Sequence, residues 1–154
     1  MLRMSYTNES GRRRILDESR SAAEQLGWAL ALLGDAYEHL DDQTAERMED
    51  ELFRPLQSAY GLLKRTRTEF AGRFGLDDAP IHETAAGLPA TAGVMLERTA
   101  DAIEAADTAL AELQDSLLPV EVGDQTLRAG LSQTRSLISG LPARFDDMIR
   151  TLGR

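Results

Sequence analysis

Residues 15–40 read ILDESRSAAEQLGWALALLGDAYEHL, and small or apolar residues recur through this stretch at alternating steps of four and three. Because an α-helix has 3.6 residues per turn, residues at this spacing share one face and form a stripe that can be buried. The stripe consists of Ile15, Ser19, Ala22, Leu26, Ala29, Leu33, Ala36 and Leu40. The stretch therefore predicts a long amphipathic helix that packs against other helices.

Three further stretches show a similar spacing, which gives four predicted helices. Residues 92–117 and 127–152 are as regular as the first stretch, whereas residues 48–74 contain two consecutive steps of four around Pro55. An extra step of four and a proline inside a helix both predict a bend. Pro142 predicts a kink in the last helix by the same argument.

Residues typical of turns separate the four stretches, so the helices are predicted over residues 9–40, 43–74, 89–117 and 124–152. The first and third connections are short, which makes the helices that each one joins antiparallel neighbours. The middle connection, residues 75–88, is longer and has room for a short helical turn around residues 80–86. The sequence therefore predicts one all-α domain over residues 1–154, an up-down-up-down antiparallel four-helix bundle.

The composition of the chain narrows the classes of function. The 154 residues include no cysteine, which excludes disulfides and thiolate zinc sites and is typical of a reducing compartment such as the cytoplasm. A net charge of −9 argues against binding to nucleic acid, because phosphate contacts supply much of that affinity. No apolar stretch approaches the roughly 18 residues that a membrane span needs. We expect a cytoplasmic protein that binds neither nucleic acid nor membrane.

The predicted bundle gathers most of the negative charge at one end. Residues 25–57 and 104–138 would lie together there, with 14 acidic and 4 basic side chains. Such an acidic pole indicates attraction for a basic protein partner or for divalent cations, and the alternative is a solvated surface that resists aggregation. Near the other end, Arg12–Arg14 and Lys64–Arg67 form a basic cluster, for which we expect pairing within the chain to Asp17, Glu18 and Glu69.

Neither a metal site nor a catalytic site is predicted. Asp35, Glu38, His39 and Asp42 share a helical face, but this face points away from the core stripe. Carboxylate-bridged dimetal bundles need ligands that project inward, including Glu-x-x-His pairs, which neither His39 nor His82 provides. No nucleophile elbow or phosphate-binding loop occurs, because no strand is predicted to carry one. We expect a non-enzymatic protein without a cofactor.

Hydroxyl side chains interrupt the core stripes and raise the alternative of a ligand-binding or sensory protein. In the predicted bundle, Ser19, Thr66 and Thr99 lie within about one layer of each other, near Phe145. These residues would line a small polar pocket. Alternatively, each hydroxyl bonds to the preceding turn of its own helix and leaves no cavity.

The outer face of the first helix is unusually apolar. It carries Gly27, Trp28, Ala31 and Gly34, with Leu32 at its border, where a monomeric bundle would meet water. An exposed helix glycine costs about 1 kcal/mol relative to alanine, whereas small residues and tryptophan suit an interface with another helix. The pattern predicts a homodimer with this face on a twofold axis. Alternatively, the connection 75–88 folds back over the face, or the first helix lies centrally among the other three.

Overall fold

The computed structural model describes residues 2–83, 87 and 90–152. Helices make up 83% of the structure, and the described residues contain no strand, so the all-α prediction is confirmed. The α-helices are α1 (Leu2–Tyr37), α2 (Asp42–Met48), α3 (Arg54–Arg73), α4 (Ala92–Asp115), α5 (Leu118–Glu121), α6 (Gln125–Ile138) and α7 (Leu141–Leu152). A π-helical segment, Glu49–Phe53, joins α2 to α3 without a break and is called the π segment below.

Helix α1 buries the predicted stripe. Every stripe residue from Ile15 to Ala36 is fully buried, as the alternation of four and three requires. The helix ends at Tyr37, three residues before the predicted end, and Leu40 packs against the core from the turn that follows. Asp41 then caps α2, since its side chain accepts a hydrogen bond of 2.8 Å from the backbone N–H of Thr44.

The irregular stretch around Pro55 coincides with the π segment. Met48, Leu52 and Leu56 are fully buried, and a π-helical turn keeps residues four apart on one face better than an α-helical turn does. Pro55 has no N–H to offer the carbonyl of Glu51, four residues earlier. Arg144 Nη1 donates to that carbonyl instead, at 3.0 Å.

The fourth predicted helix is two helices in the structure. Helix α6 ends at Ile138 and α7 begins at Leu141, with a turn at Ser139 and Gly140 between them. Pro142 is the second residue of α7, where the missing N–H would have had no partner within the helix. The predicted kink in a continuous helix is therefore replaced by a break.

The contacts between helices do not confirm the up-down-up-down order. Arg73, the last residue of α3, pairs with Asp124 at the start of α6, at 2.6 Å. A Cβ built on Gly11, near the start of α1, would lie 3.1 Å from a methyl group of Val122. The end of α3, the beginning of α6 and the N-terminal part of α1 therefore meet at one end of the molecule. Because α4 also finishes there, just before α5, α3 and α4 run in the same direction.

The connection between α3 and α4 explains this order. Two helices that run in the same direction need a connection along their length, and the described residues 74–83 lie along α3. Asp78 pairs with Arg67 of α3 and Arg20 of α1, and Glu83 accepts a hydrogen bond of 3.4 Å from Tyr60. Of the predicted helical turn at residues 80–86, residues 80–83 are not helical and residues 84–86 lie outside the described residues.

Candidate functional site

The predicted interface on α1 is partly covered within the chain. Gly27 lies under the ring of Tyr60, whose Oη would be 3.2 Å from an added Cβ, and Leu32 is only 4% exposed. Gly27, predicted to face outward, is half-buried because α3 packs on it, and Leu32, predicted at the border of the face, is buried. Trp28 and Ala31 are half-buried, and Gly34 is exposed with open space above it. The accessible part of this face consists of Trp28, Ala31 and Gly34.

At Gly27 the nearest atoms to an added Cβ belong to Tyr60 of α3, so this contact does not support the alternative in which the connection folds back over α1. Tyr60 covers Gly27 and is held from the other side by Glu83. Burial raises the pKa of the Tyr60 phenol, and the nearby Glu83 carboxylate raises it further. The phenol therefore remains a neutral donor to Glu83 across the physiological pH range.

The residues of the predicted polar pocket are all buried, but their hydroxyls are engaged. Thr66 Oγ1 donates to the Leu62 carbonyl at 2.8 Å, and Thr99 Oγ1 donates to the Met95 carbonyl at 2.7 Å. Ser19 Oγ donates to its own helix and accepts a bond from Arg67. Phe145 is fully buried. Each hydroxyl thus donates to the preceding turn of its own helix, as in the alternative in which no cavity forms.

A buried ion-pair network lies beside Ser19. Arg67 is 1% exposed, and its Nε donates to Ser19 Oγ at 2.9 Å while Nη2 donates to the Leu16 carbonyl at 2.8 Å. The remaining donors face Asp78, with Nη1 and Oδ2 3.0 Å apart. Burial lowers the pKa of the Arg67 guanidinium, and the Asp78 carboxylate acts in the opposite direction. Arg20 also pairs with Asp78, and its buried Nε has no partner among the described residues.

Sequence reasoning missed this network because it assigned Arg67 to a basic cluster with Arg12–Arg14. Its expected partners were nearby acids, whereas the actual partner, Asp78, lies in the connection. One signal was present, since Arg67 is flanked by the stripe residues Thr66 and Phe70 and so lies at the edge of the buried face. Pairing within the cluster occurs elsewhere, as in the exposed contact of Arg14 with Glu18.

The predicted acidic pole is wrong because it depended on the up-down-up-down order. Asp124 lies beside Arg73, at the end of the molecule that holds the N-terminal part of α1, whereas α2 follows the C-terminal end of α1. About 38 Å of helix separates residue 12 of α1 from residue 37. The two acidic stretches, 25–57 and 104–138, are therefore not gathered at one end.

A local acidic surface remains where α1 meets α2 and the π segment. Residues 35–51 carry one arginine, Arg47, and no lysine, beside eight carboxylates: Asp35, Glu38, Asp41, Asp42, Glu46, Glu49, Asp50 and Glu51. Arg47 pairs with Glu51 at 3.2 Å, and the nearby Arg54 pairs with Asp50 at 3.5 Å. Within the described part of the chain, the carboxylates of Glu38, Asp42, Glu46 and Glu49 form no ion pair.

A shallow cleft opens in this surface and is called the α1–π cleft below. Gly34 and Tyr37 line it from α1, Glu38 from the turn, and Glu49 and Phe53 from the π segment. It continues along the surface past Leu40, Asp42, Ala45 and Glu46. Tyr37 is 41% exposed and presents its ring to solvent. The cleft thus combines aromatic surface with carboxylates that form no ion pair with a described residue.

Other kinds of site find no support in the described residues. No group of three or more histidine, aspartate or glutamate side chains is close enough to hold a metal ion there. His39 and His82 are both exposed, and neither side chain is hydrogen bonded to another described side chain. None of the described helices is both long and apolar enough to cross a membrane.

Comparisons with known proteins do not assign the chain to a family. No family model, no curated protein and no solved structure matches it. The accessible part of the α1 face at Trp28, Ala31 and Gly34 lies beside the α1–π cleft.

Proposed function

We propose that this protein is not an enzyme and acts by association, forming a homodimer through the accessible face of α1. The observation that carries this proposal is that Gly34, an exposed helical glycine with no atom within 4 Å of the place where a Cβ would stand, shares an accessible face with Ala31 and Trp28. Glycine at such a position costs about 1 kcal/mol relative to alanine, without a benefit inside the chain. A second helix that approaches the backbone closely at Gly34 supplies that benefit.

The residues next to Gly34 suit the same contact. Ala31 is small and lies one turn before Gly34, and Trp28 is half-buried with part of its ring accessible. Tryptophan is a frequent anchor of interfaces, and the same face on two copies forms an isologous contact about a twofold axis. Because Gly27 and Leu32 are covered within the chain, the proposed interface is narrower than the sequence alone predicted.

Our proposal extends to the organisation of the chain. We propose that residues 1–154 form one cytoplasmic domain, a bundle whose four rods are α1, the continuous α2–α3 unit, α4 and the α6–α7 pair. One cluster of buried apolar residues includes members of all four rods, which supports a single core. We propose bends in the rods at the π segment before Pro55 and at the turn between α6 and α7.

Sedimentation velocity on two matched glycine variants tests the homodimer. Gly34→Arg places a long charged side chain in the proposed contact, and Gly72→Arg makes the same change at an exposed helical glycine of α3 that also has open space above it. We expect the wild type and Gly72→Arg to sediment as dimers at tens of micromolar and Gly34→Arg as a monomer. A monomeric wild type, or a Gly34→Arg dimer, would contradict the proposal.

A further inference from the structure

The α1–π cleft has the chemistry of a receptor for a cationic side chain. Its apolar surface comes from the exposed ring of Tyr37 and from Phe53, and Gly34 leaves one side open. Carboxylates of Glu38, Glu46 and Glu49 surround this surface. An aromatic face attracts a cation through its quadrupole, and a carboxylate accepts two parallel hydrogen bonds from a guanidinium.

We propose that the cleft binds an arginine side chain from a basic segment of another protein. Arginine fits both parts of the cleft, because its planar guanidinium stacks on an aromatic ring while it pairs with a carboxylate. The aliphatic stem of the same side chain packs on the apolar surface of Phe53. Further basic residues of the segment meet the acids along the surface at Asp42 and Glu46.

Charge complementarity selects this occupant over others. Arg47 and Arg54 pair with Glu51 and Asp50, and Arg144 donates to the Glu51 carbonyl, so none of these three arginines pairs with Glu38, Glu46 or Glu49. A bound metal ion fits poorly, since no three acidic or histidine side chains among the described residues converge on one point. Separated carboxylates along a surface match the spacing of charges on a peptide better than a single ion.

This inference goes beyond the proposed homodimer and does not require it. Gly34 borders both surfaces, but the carboxylates and the ring of Tyr37 belong to the cleft. The two proposals therefore fail separately: loss of the dimer in Gly34→Arg concerns the face of α1, whereas the test below changes Tyr37, Glu46 and Glu49.

Fluorescence anisotropy with the full chain and a labelled peptide of alternating arginine and alanine tests the inference. The matched probe is the same peptide with citrulline, which has the shape of arginine without its charge. We expect the arginine peptide alone to bind. Tyr37→Ala should weaken its binding about five-fold through the lost cation–π contact, and Glu46→Gln with Glu49→Gln about ten-fold.

A control variant carries the same change of charge away from the cleft. Glu104→Gln with Glu112→Gln removes two exposed carboxylates of α4 that form no ion pair with the described residues, and we expect less than a two-fold change. Equal weakening in the control would overturn the proposal, because binding would then follow net charge alone. Absence of binding to the wild type, or equal binding of the citrulline peptide, would also overturn it.

A second copy of this chain is the remaining occupant, because Arg13 and Arg14 are exposed on α1. Sedimentation of Tyr37→Ala separates that case from binding to another protein. We expect Tyr37→Ala to keep the oligomeric state of the wild type. If the variant is monomeric while the wild type is dimeric, the cleft belongs to the contact between copies, and the proposal of a separate basic partner is overturned.

Discussion

Acidic side chains meet α1 in two regions, and the two are built differently. At Asp78 one carboxylate faces two arginines, and one of them, Arg67, is 1% exposed. In the α1–π cleft several carboxylates lie around an exposed ring, and none of Glu38, Glu46 and Glu49 forms an ion pair with a described residue. The first region uses its charges inside the chain. The second leaves its charges accessible.

The difference follows from the cost of removing a charge from water. A buried guanidinium without partners would destabilise the fold by several kcal/mol. Arg67 therefore requires its hydrogen-bond and ion-pair partners to stay in place. Those partners are Ser19 and the Leu16 carbonyl on α1 and Asp78 on the connection, which brings three segments together. An exposed carboxylate carries no such requirement, because water solvates it. Paired, buried charge therefore specifies the fold here, whereas unpaired, exposed charge is available to a partner.

The largest effect is expected when the buried pair is broken. Asp78→Ala leaves Arg67 buried without its counter-charge, and removal of one partner of a buried pair typically costs about 3–5 kcal/mol. Urea unfolding measures this cost, with Asp77→Ala as the control because Asp77 is exposed and its side chain pairs with no described residue. We expect the control to stay within about 0.5 kcal/mol of the wild type. Equal stability of both variants would mean that Asp78 does not hold the connection in place.

Two glycines sharpen the contrast between packed and open regions. Gly130 of α6 is buried against Thr66, and an added Cβ would lie 2.5 Å from Thr66 Cγ2, so Gly130→Ala should destabilise by about 1–3 kcal/mol. Gly34 has open space, so Gly34→Ala should stabilise the isolated monomer by up to about 1 kcal/mol. Thermal unfolding at low protein concentration compares them. A loss of stability in Gly34→Ala would show that this face is covered within the chain.

Local features of this fold were predictable from sequence. The stripe from Ile15 to Ala36 is buried because the 3.6-residue period of a helix is a property of the chain itself. The extra step of four at Met48–Leu56 marked a real irregularity, the π segment, although a π-helical turn was not predicted. Gly27 was predicted to face outward, but Tyr60, 33 positions later in the sequence, packs on it.

The order of the helices was not predictable from these patterns. Stripe spacing shows which face of a helix is buried but not the direction in which the next helix runs. The direction of α4 depends on whether the connection turns back at once or runs along α3, and the pair of Arg67 with Asp78 holds it along α3. The predicted acidic pole inherited the wrong order. The acidic surface at residues 35–51 does not depend on this order, because its residues are neighbours in sequence.

Asp124 represents an intermediate case, a paired but partly exposed carboxylate. It accepts hydrogen bonds from Arg73 and from the backbone N–H of Leu127, and so also caps α6. These bonds, first that from Arg73, lower the pKa of Asp124. Asp124→Ala removes both the helix cap and the ion pair and should destabilise the fold by about 1 kcal/mol. This loss is larger than that expected on removal of a surface charge that caps no helix, and smaller than that expected for Asp78→Ala.

The pH dependence of stability distinguishes the charge of Asp124 from its role as a cap. Because its pKa is lower in the folded state, its contribution is complete above the unfolded value of 3.8 and is lost as pH falls through the folded value. Asp124→Asn keeps the capping oxygen without the charge. We expect urea unfolding of this variant to lose less stability than the wild type between about pH 5 and pH 2. Parallel pH profiles would contradict a charge contribution from Asp124.

The smallest effect is expected in the α1–π cleft, where a charge can be removed without leaving a buried partner. Glu49 lies one helical turn after Glu46, and like charges at this spacing repel each other by a few tenths of a kcal/mol. Glu49→Gln should therefore change stability by less than about 0.5 kcal/mol, in the stabilising direction, and added salt should remove the gain. Urea unfolding at low and high ionic strength measures both. A loss of 1 kcal/mol or more would show that Glu49 pairs with a cation inside the chain, and the cleft would then lack the accessible charge on which an arginine partner depends.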